Sequence, residues 1–247
     1  MTKKTTKKQT QDSNEAIDFH SDFMEKKVKI NKKWKLNEKQ IDFLKTSLDD
    51  KSKILCVDGY FGTAKTYMAV YSALTLLNEK KVDQIIYLRN PIESSSAKLG
   101  YLPGDQNEKF NVYAQPFWDK LDEFISPMDR SYLSEKHFIS ALPVGFTRGL
   151  NWANKAIIVD EAGCLSFQDI FLLVTRMAEG SKLFLIGSSE QNDIGKKSGF
   201  SAFCKLFDNE EAKEKGIFTY EFKEESDIVR SEVIKYVFKV VKQAGML

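Results

Sequence analysis

The chain has 247 residues, 42% of them hydrophobic and 29% charged, which is enough for one sizeable core and too little for two. Its 37 basic and 35 acidic side chains leave a formal charge of +2, so the overall balance announces no polyanionic partner, and no apolar stretch reaches the roughly 20 residues of a membrane span or follows the N-terminus as a signal peptide requires. Cys56, Cys164 and Cys204 are odd in number, far apart and never in a CxxC pair, which argues against a disulfide framework or a zinc site and for a reducing compartment, the cytoplasm.

Residues 1–24 are mostly Lys, Thr, Gln, Asp and Ser with little to bury, and read as a disordered Lys-rich tail ahead of a single domain over 25–247. The lysines that continue around Trp34 read as a solubilising approach more than as a nucleic-acid arm, because no further aromatic residue interleaves them. From Leu36 short apolar runs alternate with helical patterns, as in a mostly parallel sheet with helices on both faces. Strands are predicted at 53–58, 84–89, 138–142, 156–160, 182–187 and 217–222, each short and largely apolar. Helical spacing joins Val70, Leu74 and Leu77 after the first strand, and Val229, Val233, Tyr236, Val237, Val240 and Val241 near the C-terminus. Residues 90–109, with two Pro and two Gly, read as a long loop.

The first strand runs into Gly59, Tyr60, Phe61, Gly62, Thr63, Ala64, Lys65 and Thr66, after which a helix begins. This is the setting of a P-loop, whose backbone N–H groups wrap phosphates at a helix N-terminus where the dipole favours negative charge. Lys65 is expected to reach the terminal phosphates and Thr66 to ligate Mg2+. Ala64 stands where the motif has its second glycine, so the N–H donor is kept and the cost depends on clearance and on the sign of φ at that residue. The fourth strand ends in Asp160 and Glu161, the first suited to the Mg2+ shell and the second to activating a water, which favours hydrolysis over transfer to a small molecule. The fifth strand is followed by Ser188, Ser189, Glu190, Gln191, Asn192 and Asp193 on the crevice side of an open α/β sheet, with Gln191 a sensor of the γ-phosphate or water.

In this order the residues resemble the PhoH-like ATPase family, a P-loop NTPase family of RecA-like fold. The likeness rests on Arg89-Asn90-Pro91-Ile92-Glu93, Leu99-Gly100-Tyr101-Leu102-Pro103-Gly104-Asp105, Gln115-Pro116-Phe117-Trp118-Asp119, Asp160-Glu161-Ala162, Thr175-Arg176-Met177 and Lys197-Ser198-Gly199, and covers about 37–241. The resemblance implies ATP as the nucleotide, with Gln40 reading adenine, and Arg230 touching the γ-phosphate, in the same or a neighbouring subunit, with Arg89 and Arg176 as second candidates. It further implies an ATPase coupled to RNA or single-stranded DNA, helicase-like, working as a homo-oligomer and expected as a hexameric ring. The chain departs from the family pattern at Ala64, Asn90, Gly163 and Ser188, and no PIN-type nuclease region is expected before Gln40. The competing readings are an ATP-gated switch with weak turnover and a P-loop kinase.

Overall fold

The computed structural model describes residues 27–32, 35–90, 106–190 and 194–245, with the backbone alone over 106–113. Six strands, β1 (Ile54–Gly59), β2 (Gln84–Arg89), β3 (Ile139–Pro143), β4 (Lys155–Asp160), β5 (Lys182–Gly187) and β6 (Ile217–Phe222), form one sheet in the order β3-β2-β4-β5-β1-β6, and every pairing is parallel. All six predicted strands are present within one residue at either end. Every residue of β1 and β5 is buried, as befits strands covered on both faces.

Alternate side chains serve two separate cores. Leu55, Val57, Tyr87, Ile158, Phe184 and Ile186 face one layer, covered by α1 (Glu38–Leu48), α2 (Lys65–Asn78) and α3 (Gln106–Phe124). Cys56, Ile86, Leu88, Ile157, Val159 and Leu185 face the other, covered by α5 (Phe167–Val174) and α6 (Phe200–Leu206). The period of two in a strand produces this division directly. Three shorter or peripheral helices complete the set: α4 (Pro127–Glu135), α7 (Glu210–Glu214) and α8 (Glu232–Gln243).

One expectation is corrected. The long loop expected over 90–109 ends earlier than predicted, because α3 begins at Gln106 and continues through Pro116; residues 91–105 lie outside the described residues, as do the expected tail 1–24 and Trp34. The helical spacing read near the C-terminus belongs to α8, where the stripe faces outward: Val233 is 70% exposed and Tyr236 68%, with Val237 and Val240 exposed beside them. Phe238, with Ile234, is what docks, because an aromatic ring fits the gap left between Tyr60 and Ile228.

Candidate nucleotide site

Strands β1, β4 and β5 lie side by side in the sheet, so the loops at their carboxyl ends meet in one crevice. Gly59 closes β1 in register with Phe222, and a Cβ there would lie 2.8 Å from the Phe222 carbonyl oxygen, so only glycine lets β6 approach. Gly62 takes φ +74°. Ala64 takes φ 61° and ψ 22°, so the residue in place of the motif glycine adopts the left-handed conformation that glycine would enter without strain, at about 1–2 kcal/mol. No side chain caps α2 and no acidic residue occupies its first turn, which leaves its N–H donors and positive dipole end to an anion.

Lys65 donates to the carbonyl oxygens of Gly59 at 2.6 Å and Tyr60 at 2.7 Å. Burial pulls its pKa below the ordinary lysine value, and Asp160, Glu161 and Asp58 oppose that pull. Thr63 is a structural member of the loop, its hydroxyl donating to the Tyr60 carbonyl at 2.8 Å.

At the end of β4, Asp160 accepts hydrogen bonds from the Tyr87 hydroxyl at 2.7 Å, the Glu161 N–H at 3.0 Å and the Thr66 hydroxyl at 3.4 Å from each carboxylate oxygen. Thr66 and Asp160 are thus neighbours, the one hydroxyl and one carboxylate that suit Mg2+, a cation that keeps most of its waters. Glu161 leaves the strand through φ 55°, another left-handed residue, and its carboxylate stands 3.7 Å from an Arg89 Nη. Strain of this kind concentrates where a side chain must be aimed. Tyr87 is a site residue that motif reasoning missed. Strand alternation could have found it, since Tyr87 shares a face of β2 with Arg89, the register partner of Asp160. Burial pushes the Tyr87 hydroxyl well above its usual pKa, and Asp160 adds to the effect, so it stays a donor.

The turn after β4 also touches the end of β5. A Cβ on Gly163 would lie 2.2 Å from the Ser188 carbonyl oxygen, and one on Gly187 would lie 2.5 Å from the Gly163 nitrogen. The departures from the family pattern at 163 and 188 therefore meet, backbone against backbone.

A third segment clamps the loop from outside. The Val229 N–H donates to the Gly62 carbonyl at 3.0 Å, and a Cβ on Gly62 would fall 2.6 Å from Cγ of Arg230. Arg230 lines the same cleft of about 380 Å3 as Lys65, Thr66, Asp160 and Glu161. Of the two positions left open for Arg230, the same chain or a neighbouring subunit, the structure brings it to the P-loop of its own chain. Gln40, expected to read adenine, donates through its Nε2 to the carbonyls of Thr63 at 3.1 Å and Asp227 at 2.9 Å while its Oε1 accepts from the Asn37 N–H at 3.0 Å, so this buried carboxamide joins α1, the P-loop and the 227–230 segment. Tyr60 and Phe61 are held from the same side, their rings 4.7 and 6.1 Å from that of Phe238. Arg89 meets the carboxylates and not the phosphate loop. Arg176 is not brought to the cleft at all. Its carbonyl pairs with the N–H of Trp152, ahead of β4 at the opposite end of the strand, and its buried Nε has no hydrogen-bond partner among the described residues. Gln191 lies outside the described residues.

The profile of a family described as PhoH-like protein matches residues 30–242. The chain is 29% identical over 188 residues to a PhoH-like protein of Synechocystis, covering 75% of this chain and 56% of that one, and 30% identical over 183 residues to a PhoH-like protein of Bacillus subtilis, covering 73% and 56%. Protein PhoH of Escherichia coli is 29% identical over 179 residues, covering 71% and 50%. The chain thus spans about half the length of the curated relatives it matches. Among solved structures, the large terminase of a thermophilic bacteriophage matches with a TM-score of 0.52 at 11% identity, covering 83% of this chain and 50% of that one, a likeness of fold. With the P-loop, the acidic pair and the parallel sheet in place, the chain belongs to the PhoH-like protein family, a P-loop NTPase family.

Proposed function

We propose that the chain binds ATP with Mg2+ and hydrolyses it. The observation that carries this is the meeting of Lys65, Thr66, Asp160, Glu161 and Arg230 in one cleft at the uncapped N-terminus of α2. The α2 amides and Lys65 hold the phosphates, and Thr66 and Asp160 hold the metal, which neutralises charge on the transferring group. Glu161 orients a water and takes its proton, its carboxylate aimed by Arg89. Arg230 offers two donors to the terminal phosphate from within the same chain. The base has a seat next door, in a cavity of about 510 Å3 walled by Leu36, Ile228 and Val229 and sharing Arg230 with the phosphate cleft.

We further propose that turnover is coupled to single-stranded RNA or DNA, in helicase-like fashion, in the cytoplasm. Support comes from the turn after β3, at the carboxyl ends of the strands, where Phe146 is 59% exposed beside an exposed Arg148, an aromatic face and a cation of the kind that stacks bases and meets phosphates. Val144 of the same turn shares a core with Ala162, the residue after Glu161. Among the described residues no helix is long and apolar enough to cross a membrane, and Cys56, Cys164 and Cys204 are free thiols, which suits a reducing compartment. Assembly into a ring draws on the apolar outer stripe of α8, not on Arg230.

The test is phosphate release from ATP with and without single-stranded RNA and DNA, beside Glu161→Gln. Turnover stimulated by nucleic acid, and lost in Glu161→Gln with ATP still bound, is the expected result. Absent turnover with ATP bound would leave a nucleotide-gated switch, a reading that the strained Ala64 favours. Full activity in a strictly monomeric protein would remove the ring.

A further inference from the structure

The cleft holds a cation that no motif supplies. Lys120 of α3 lines it together with Lys65 and Arg230. Among the described residues of the lining, Lys65 and Arg230 balance Asp160 and Glu161, and Lys120 adds a further positive charge of the kind a polyanion site uses. Its place in α3 is unusual for a lysine. Phe117, Leu121 and Phe124 are fully buried at helical spacing, and Lys120 stands on that same stripe with its side chain only 21% exposed.

The helix is fixed on either side of it. Phe117, one turn before, stacks on Tyr87 with ring centroids 4.7 Å apart and planes 9° from parallel, and Tyr87 is the residue that donates to Asp160. Phe124, one turn after, packs 4.4 Å from the ring of Tyr67, which lines the cleft from the first turn of α2. Lys120 therefore sits between two anchors, one leading to the metal-side carboxylate and one to the phosphate helix. Its ammonium is paired with Glu123, one turn along α3, and Glu123 is not among the residues of the cleft. An i,i+3 pair on one helix contributes little by itself and has no need of a position inside a phosphate cleft.

We propose that Lys120 is a second phosphate-binding lysine, which exchanges Glu123 for an oxygen of the terminal phosphate when ATP binds. This rests on the ATPase reading and deepens it: together with Arg230 it makes the charge-neutralising set of the site complete within one chain. The terminal phosphate is the target because the Tyr87 anchor ties this part of α3 to Asp160, at the reacting end of the cleft.

The experiment measures dissociation constants of Mg-ATP and Mg-ADP, steady-state turnover and thermal midpoint for the wild type, Lys120→Ala, Lys120→Arg and Glu123→Gln, with Lys65→Ala as control. Lys120→Ala is expected to weaken ATP about tenfold or more while ADP changes less than about threefold, with turnover reduced, an unchanged midpoint and recovery in Lys120→Arg. Glu123→Gln, which removes the charge of that pair, is expected to leave ATP binding intact or tighter. Equal loss of ATP and ADP, or no loss of either, would make Lys120 a structural residue and overturn the proposal while leaving the ATPase reading standing. A wild type that binds neither nucleotide, indistinguishable from Lys65→Ala, would overturn both.

Discussion

Two lysines are held by backbone carbonyls at opposite ends of this sheet. At the carboxyl end Lys65 donates to Gly59 and Tyr60; at the amino end Lys182, only 6% exposed, donates to the carbonyls of Ser47 and Asp49 at 2.7 and 2.8 Å and to the Ser52 hydroxyl at 2.8 Å. The local bonding is alike and the surroundings are opposite. Carboxylates of Asp160, Glu161 and Asp58 surround Lys65 at a helix N-terminus, beside a cleft. Lys182 caps the C-terminal carbonyls of α1, and its charged neighbours include Lys53 and Lys81; burial, reinforced by those two lysines against Asp50 and Asp49, lowers its pKa to about 8. A buried ammonium on carbonyls is therefore no mark of a site. Exchangeable partners and an anion-shaped space are what distinguish Lys65.

Removing each ammonium in turn breaks the comparison most sharply. Lys65→Ala is expected to lower ATP turnover by about a thousandfold, as loss of a charge-stabilising donor does, with little change in the urea midpoint. A variant retaining more than about a tenth of wild-type phosphate release would remove Lys65 from the chemistry. Lys182→Ala should do the reverse. It leaves buried carbonyls and the Ser52 hydroxyl without their donor, for a loss of about 2–3 kcal/mol in urea unfolding with turnover per folded molecule unchanged.

The pH dependence sharpens the same contrast. Between about 8 and the ordinary lysine value of 10.5 the folded chain has released the Lys182 proton and the unfolded chain still holds it. Unfolding then takes up a proton, so the contribution of Lys182 to stability rises with pH across that window. The difference in unfolding free energy between the wild type and Lys182→Met should grow from about pH 8 to about pH 10; a flat difference would show that the buried ammonium keeps its proton. The smallest expected effect is that of Ala64→Gly. Relief of the left-handed strain, less the freedom glycine adds to the unfolded chain, should stabilise the fold by about 0.5–1 kcal/mol, read as a higher urea midpoint. A lower midpoint would mean that the methyl of Ala64 contributes more to the core it packs on than the strain takes away.

The strands were readable because each is a short, largely apolar run, the inner ones covered on both faces, and Gly59 to Thr66 and the Asp160–Glu161 pair were readable because phosphate and metal chemistry fix residue types at close spacing. What could not be read depends on chain brought together from afar. Whether Gln40 is open to a base or tied to Thr63 and Asp227 is decided by a segment 187 residues away. Arg230 belongs to its own cleft because Val229 pairs with Gly62. The outward stripe of α8 has the same spacing as a buried one, and only the ring of Phe238 under Tyr60 tells which side docks. Lys120 was hidden because a lysine in an apolar stripe carries no motif.

The stitching around Gln40 bears on how the protein is made. Asn37 and Gln40 bond to Ser226 and Asp227, and the loop between them and the phosphates is gripped by Val229 and Phe238. Synthesis delivers the phosphate loop early and its clasp last, close to the C-terminal end of the matched region. A growing chain on the ribosome therefore has the P-loop exposed for most of its translation and completes the cleft only as α8 emerges, so on the proposed function competence to hold nucleotide arrives with that helix.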